Sequence, residues 1–300
     1  MSDIKSVAVA GASGMVGAHV TKALVDAGFK VTILTRSSKP TNTHAGVEVI
    51  EVDYASTESL RAALKGIDAV VSTVAGEAIG AQGTLIDAAA LSGVKRFIPS
   101  EFGTVTTNPK VQTLPVYSDM FKIKSLLQTK ADAAQMTWTV LACGGFLDLL
   151  FQGSSDLFNF KEHKALLVDE GDNRLSASSL AVTGQAVAGI LKNPDATKNR
   201  VVRISQVILT QNQVLGLAQK LRPEDRWETT KVAASRLVEE GLAGLKAGDF
   251  SYQVIVKIIL GTAFAGEVYG SAYEETDNEL LGIQELTEED LAELVAEKLA

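Results

Sequence analysis

Short apolar runs alternate with amphipathic segments along the first half of the chain. Val7 to Ala10 is a run rich in β-branched residues that reaches Gly11; from Gly14 the apolar positions Val16, Val20, Ala23 and Leu24 recur at helical spacing. The runs Lys30–Leu34, Val47–Val52, Asp68–Val74, Arg96–Pro99 and Trp138–Ala142 read as further strands. Helical patterns fill the gaps between them, from Ser56 to Leu64, from Thr84 to Ala90 and from Phe121 to Ala134. Strands alternating with helices at this spacing predict an α/β fold with a doubly wound parallel sheet, whose ligands bind outside the carboxyl ends of the strands.

Glu101 to Met120 lacks periodicity and contains Pro109 and Pro115, so a long loop is expected there. Beyond about residue 145 the alternation blurs. Residues 153–174 are expected to be mostly loop, with a short strand at Leu166–Val168. Helices are expected at Leu180–Leu191, Thr210–Leu221, Thr230–Leu245 and Phe250–Phe264, and a strand at Arg200–Ser205 that rejoins the main sheet. A last helix starts at Thr287, where Asp290 stands in the reciprocal capping position, and buries Leu291, Leu294, Val295 and Leu299. The expected organisation is therefore a nucleotide-binding domain over residues 1–150 and a smaller, mostly helical substrate-binding cap over residues 151–300.

The first strand–turn–helix unit carries candidate chemistry. Its glycines are spaced G-x-x-G-x-x-G (Gly11, Gly14, Gly17), and the whole run Gly11, Ala12, Ser13, Gly14, Met15, Val16, Gly17 is expected to cradle a pyrophosphate at the helix N-terminus. Three glycines alone also fit a plain tight turn; the strand–loop–helix context favours a dinucleotide. The residue closing the second strand discriminates between dinucleotides. An acid there takes a ribose 2′-hydroxyl, whereas an arginine pairs a 2′-phosphate. Arg36 stands in that place with Lys39 close behind, so NADP is favoured over NAD. Asp53 and Tyr54, ending the third strand, are expected near the adenine, and Ser72, Thr73 and Val74, ending the fourth, beside phosphate and ribose.

The string Lys95-Arg96-Phe97-Ile98-Pro99-Ser100-Glu101-Phe102-Gly103 resembles the K-R-F-x-P-S-E-F-G signature of the isoflavone reductase-like, NmrA-related atypical short-chain dehydrogenases. The likeness covers roughly residues 5–150 and includes the glycine spacing and Arg36. It implies a Rossmann-type NADPH-binding domain and, among the family's reductases, a lysine on the helix after the long loop. In Phe121-Lys122-Ile123-Lys124 that register falls on Lys124, with Lys122 the alternative should it slip. The resemblance implies that Phe102 packs near the nicotinamide and that Lys124 lies at the cofactor and handles the proton; Ser100, ending the fifth strand, is expected to contact cofactor or substrate, a turn cap being the competing explanation. The Tyr-x-x-x-Lys pair of ordinary short-chain dehydrogenases is missing, since Phe121 follows Tyr117 at the lysine's place; Tyr117 is expected in a pocket or loop. Ala142-Cys143-Gly144-Gly145-Phe146-Leu147-Asp148 departs from the plant pattern in lacking its asparagine. Phe146 and Leu150 are expected to wall a pocket for an apolar or aromatic ligand, core packing being the competing explanation.

These readings point to an NADPH-dependent reductase of a small apolar or aromatic metabolite, in specialised metabolism. Two alternatives stay open: a non-catalytic, NADP-sensing regulator with a protein partner, and an NADP(H)-binding enzyme that guides a cyclisation or rearrangement without net redox change. Composition narrows the partners. A net charge of −8 argues against nucleic acid and anionic membranes. His19, His44 and His163 form no metal-spaced set with Cys143, the single cysteine, so no metal is expected and a reducing compartment suits the chain. Val254 to Ala265, the most apolar late run, carries Lys257 and falls short of the ~20 residues that span a bilayer. With Met1 to Lys5 leading straight into the first strand, no signal peptide and a cytoplasmic location are expected. A homodimer is left open.

Overall fold

The computed structural model describes residues 3–37, 46–152 and 157–300. Its first half runs β1 (Ser6–Ala10), α1 (Met15–Asp26), β2 (Lys30–Thr35), β3 (Glu48–Glu51), α2 (Thr57–Ala63), β4 (Ala69–Ser72), α3 (Gln82–Leu91), β5 (Arg96–Ile98), α4 (Pro115–Asp132) and β6 (Thr137–Ala142). Then come β7 (Gly145–Phe146), α5 (Leu147–Leu150), β8 (Phe158–Asn159), β9 (Lys164–Val168), β10 (Leu175–Ser178), α6 (Leu180–Lys192), α7 (Pro194–Thr197), β11 (Arg200–Arg203) and β12 (Val207–Leu209). The chain ends with α8 (Gln211–Leu221), β13 (Glu228–Val232), α9 (Ala234–Lys246), α10 (Tyr252–Ala263), α11 (Asn278–Leu281) and α12 (Glu288–Leu299).

Among the described residues, seven strands form one parallel sheet in the order β11-β6-β5-β4-β1-β2-β3. Its central strands are apolar at successive positions because both faces are covered. Val7, Val9, Val31 and Ile33 point to the face packed by α1 and α6; Ala8, Ala10, Leu34, Val70 and Phe97 point to the face packed by α2, α3 and α4. The strand order reverses between β4 and β1, which opens a crevice at the carboxyl end of β1.

Strand β11 does rejoin the sheet, pairing Arg200 with Thr139 and Arg203 with Ala142. Arg96, wholly buried, ties it in at the amino end of β5. Its guanidinium donates to the hydroxyls of Thr137 (2.9 Å), Thr139 (2.8 Å) and Thr197 (3.0 Å) and to the carbonyl of Pro194 (2.6 Å). At the same end the Asp68 carboxylate accepts from the backbone amides of Lys5 and Ser6, both at 2.9 Å, and pairs with Lys95 at 2.6 Å.

The later half has a core of its own, built from Leu147, Phe151, Phe158, Phe160, Leu167, Leu175, Leu237, Phe264 and Leu291. Its helices are accompanied by two small sheets, β12-β10-β7 and β13-β9-β8. The capping box at Thr287 and Asp290 starts α12 as expected, and Leu291 and Val295 are buried.

Two expectations about local structure are corrected. Helix α4 starts at Pro115, inside the stretch expected to be loop. Proline at a first helical position lacks only an N–H that would have no partner within the helix, and its fixed φ suits the helix start. Residues 228–232 form strand β13, whereas a helix was expected from Thr230. Nearly every side chain of β13 is exposed, so no alternation marks it; parallel pairing with β9 holds it. No helix among the described residues is long and apolar enough to cross a membrane.

Candidate active site

At the carboxyl end of β1 the chain turns through Gly11, with φ +82°, and Gly14 N–H donates to the Gly11 carbonyl at 3.0 Å. A Cβ on Gly11 would meet the Thr73 carbonyl at 2.8 Å. A Cβ on Gly17 would lie 2.1 Å from the Gly11 oxygen and 2.7 Å from Thr73 Oγ1. These two glycines bring helix α1 hard against the ends of β1 and β4. Thr73 completes the joint, its hydroxyl donating to the Ala10 carbonyl at 2.8 Å. In front of it Ser13, Gly14 and Met15 are exposed, Val16 is half-buried and Ala12 buried. Gly14 caps α1 with no side-chain hydrogen bond, and the first turn holds no acid. The N-terminal amides of a twelve-residue helix therefore face the crevice with neither a side-chain cap nor an acid to meet them, a ready anion site.

Arg36 follows β2 and is exposed, and it takes part in no ion pair or hydrogen bond among the described residues. It lines a cavity of about 430 Å³ with Glu51, Val52, Asp53 and Tyr54. The Asp53 carboxylate is turned back onto its own turn, accepting from Ala55 N–H at 2.9 Å. The Tyr54 hydroxyl donates to the Leu34 carbonyl at 3.0 Å and is pushed up to about 12 by burial, against the opposing charge of Arg36. Lys39 lies outside the described residues. Ser72 is buried with its hydroxyl unpaired among the described residues, and Val74 is half-buried.

At the carboxyl end of β5 the chain is held from several sides. Ser100 N–H donates to Gln82 on α3 (2.9 Å), and its hydroxyl donates to the Val74 carbonyl (2.5 Å). Phe102 is buried with φ +47°, a conformation that costs a bulky side chain of order 1–3 kcal/mol. Its carbonyl accepts from Cys143 Sγ at 3.2 Å. The Tyr273 hydroxyl, from the far end of the chain, donates across the next two carbonyls, Gly103 and Thr104. Glu101 sits within this pinned loop. Burial pushes its carboxyl up to about 7, although the Thr106 hydroxyl and the Lys124 ammonium pull the other way.

Helix geometry separates the two candidate lysines. Lys122 points to solvent and pairs with Asp119 at 2.7 Å, with 74% of its side chain exposed. Lys124 is half-buried and acts on Glu101. Tyr117, seven residues before Lys124 and so on the same face of α4, is buried; its hydroxyl bonds with that of Thr262 on α10 at 2.7 Å. Phe146 and Leu150 are both half-buried, Phe146 against the core of the first half and Leu150 against that of the second. Among the described residues no cluster of three or more histidines, cysteines or acids is placed to hold a metal ion.

Two residues of this constellation were not singled out by the sequence. Glu101 lay inside the Pro-Ser-Glu-Phe-Gly string, which could have flagged it. Tyr273 had no local signal, because its partners are far away in the chain. Together the loop after β1, the cation after β2 and the loop after β5 that carries Glu101 lie in one line along the carboxyl edge of the sheet. Such a line can hold an extended ligand with two separate anionic groups.

The model of the NmrA-like family matches residues 3–225. The protein named oxidoreductase poxI of Penicillium oxalicum is 32% identical, the alignment covering 96% of this chain and 92% of that one. Oxidoreductase aprR of Aspergillus flavus is 35% identical, over 92% and 94%. Among solved structures, the binary complex of leucoanthocyanidin reductase with NADPH from Vitis vinifera superposes with a TM-score of 0.77 at 20% identity, covering 98% of this chain and 99% of that one.

Proposed function

The chain belongs to the NmrA-like family, and on that footing we propose that it is an NADPH-dependent reductase of a small, largely apolar or aromatic metabolite, of the kind made in specialised metabolism. The observation that carries this reading is the pairing of the uncapped N-terminus of α1, behind Gly11, Gly14 and Gly17, with the exposed guanidinium of Arg36 at the next strand end. An anion cradle and a separate cation one strand apart suit the pyrophosphate and 2′-phosphate of NADPH. The names of the fungal relatives and of the NADPH-bound structural neighbour support the same conclusion.

NADPH would supply the hydride, and the protein supplies binding, orientation and the proton. Ala12 to Val16 line the phosphate end, Asp53 and Tyr54 the adenine end, and Ser72 to Val74 the passage between them. Ser100 and Phe102 hold the loop at the nicotinamide end. Lys124 Nζ donates the proton that accompanies the hydride. Tyr117 fixes α4 against α10 and so sets the place of Lys124. Phe146 and Leu150, between the two cores, offer the apolar wall.

The test follows NADPH absorbance with a panel of aromatic acceptors, for wild type and Lys124→Ala. Turnover by wild type and its loss in the variant, with NADPH still bound, are expected. Wild-type turnover in Lys124→Ala would remove the lysine from the chemistry. NADPH binding with product formed but no net oxidation would overturn the reductase reading.

A further inference from the structure

The turn after β5 is held by the far end of the chain. Residues 264–273, between α10 and α11, run beside the loop that joins β5 to α4 and are tied to it. The Asn108 side-chain amide donates to the Tyr269 carbonyl at 2.7 Å, and the Lys110 ammonium to the Val268 carbonyl at 2.8 Å. Tyr273 reaches furthest toward β5, its hydroxyl shared between the carbonyls of Gly103 and Thr104. Its backbone is fastened on the other side: Tyr273 N–H donates to Ser176 Oγ on β10 at 2.8 Å, and Ser176 N–H to the Ser271 carbonyl at 2.9 Å. The Tyr273 ring is buried, and burial raises the phenol above its ordinary range, so the hydroxyl keeps its proton and stays a donor. What it holds is strained. Phe102, next to Gly103, sits at φ +47°, and its carbonyl accepts from Cys143 Sγ at 3.2 Å. A bulky residue persists in that region only where its surroundings over-determine it. Here the surroundings come from afar, Cys143 lying 41 residues from Phe102 and Tyr273 lying 170 from Gly103.

Resting on the reductase reading, which puts Phe102 at the nicotinamide end, we propose that Tyr273 is a positioning residue: its hydroxyl fixes the turn at Phe102, Gly103 and Thr104, and that turn sets the pose of the nicotinamide ring. Tyr273 touches neither cofactor nor substrate and acts through Phe102. The phosphates of NADPH are gripped elsewhere, at the glycine loop and Arg36, so tightness of binding and pose of the ring are separable in this site. Pose matters to the chemistry, because a misplacement of about 1 Å can cost roughly 100-fold in rate. The strand that anchors Tyr273 also serves the substrate side. Strand β10 pairs with β7, Ser178 opposite Phe146, and Phe146 belongs to the apolar wall. Through Tyr273 and through Phe146, the ring and the wall facing it are both referred to β10.

The experiment compares wild type with Tyr273→Phe, which removes the hydroxyl and keeps the buried ring. Should that variant fail to fold, Ser176→Ala carries the test, since it frees the Tyr273 backbone and leaves the phenol in the protein. Amide hydrogen exchange without cofactor should quicken about 3- to 10-fold across residues 100–106, the effect of losing one neutral hydrogen bond, while β1 and α1 keep their protection. The fluorescence anisotropy of bound NADPH should fall as its ring loosens. Affinity for 2′,5′-ADP, which lacks the nicotinamide half, should hold. With an acceptor in hand, kcat should drop roughly 3- to 10-fold with KM for NADPH unchanged. Wild-type exchange across residues 100–106, or wild-type anisotropy, overturns the proposal. So does a matching loss of 2′,5′-ADP affinity, which would mark a general loosening of the site. Exchange and anisotropy need no acceptor. A loosened ring in the variant with no turnover by wild type therefore strikes the reductase reading, and turnover with an unmoved ring strikes this one.

Discussion

Gly17 lies so close to the Gly11 carbonyl oxygen that a single added methyl would stand 2.1 Å from it. The neighbour is backbone at the phosphate loop, and backbone cannot swing aside as a long side chain does. Gly17→Ala should therefore push α1 away from β1. We expect a loss of about 1–3 kcal/mol in stability, as for other overpacked sites, and a weakened hold on NADPH. Urea unfolding and calorimetric titration with NADPH measure the two effects. Wild-type values for both would show that the joint between α1 and β1 yields freely.

Arg36 is the specificity probe. Replacing it by alanine removes the cation from the cavity it shares with Asp53 and Tyr54 and leaves the glycine loop intact. A charge-assisted hydrogen bond contributes about 1.5–3 kcal/mol, so NADPH affinity should fall roughly 10- to 100-fold and NADH affinity much less. Equal losses for the two cofactors would place the 2′-phosphate elsewhere.

Arg96 tests the opposite end of the same sheet. Burial pushes the guanidinium down to about 10, and four hydrogen bonds hold it there. Arg96→Met strips the Pro194 carbonyl and three threonine hydroxyls of their donor. We expect a loss of about 2–4 kcal/mol, since each unsatisfied buried polar group costs about 1–3 kcal/mol and some can re-pair. Urea unfolding reads the loss. The folded fraction should bind NADPH as wild type does, because Arg96 lies at the amino end of β5, away from the crevice.

Asp68 gives the acid dependence. Burial raises its carboxyl, but the Lys95 ammonium, the Lys5 and Ser6 amides and the Ser6 hydroxyl together outweigh burial and hold it well below the usual carboxylate range. A lowered folded-state value means that the unfolded chain binds the proton first. The stabilisation is full above about pH 4, the unfolded value, and fades as pH falls below it. Asp68→Asn should be less stable at neutral pH and should lose stability less steeply below about pH 4. Parallel slopes for variant and wild type, in thermal melts across that range, would count against it.

Much of this was legible along the chain because its causes are local. Gly11, Gly14 and Gly17 with the apolar spacing behind them specify strand, turn and helix within a dozen residues. The same holds for the box at Thr287 and Asp290. The misread segments had causes elsewhere. Along the chain Pro115 reads as a breaker although a proline also begins helices, and only the packing of α4 decides between the two. The exposed strand β13 exists through its pairing with β9. At the site, Arg36 could be found by position, whereas Lys122 and Lys124 could be separated only by the face of α4 each occupies. The raised carboxyl of Glu101 comes from burial by segments distant in sequence, and no neighbour along the chain reports it.

Helix α6 lies against α1 so closely that a Cβ on Gly184 would meet the His19 carbonyl at 2.5 Å, and β11 closes the edge of the sheet beside β6. Both elements come from beyond residue 150. During synthesis, then, the half that holds the glycine loop emerges from the ribosome first but stays unfinished. The back of α1 remains wet and the edge of β6 unpaired until residue 203 is clear of the exit tunnel. The nascent chain passes through an interval in which that open edge is a hazard for misassociation. Any exchange of the later half between relatives has to carry α6 and β11 along intact.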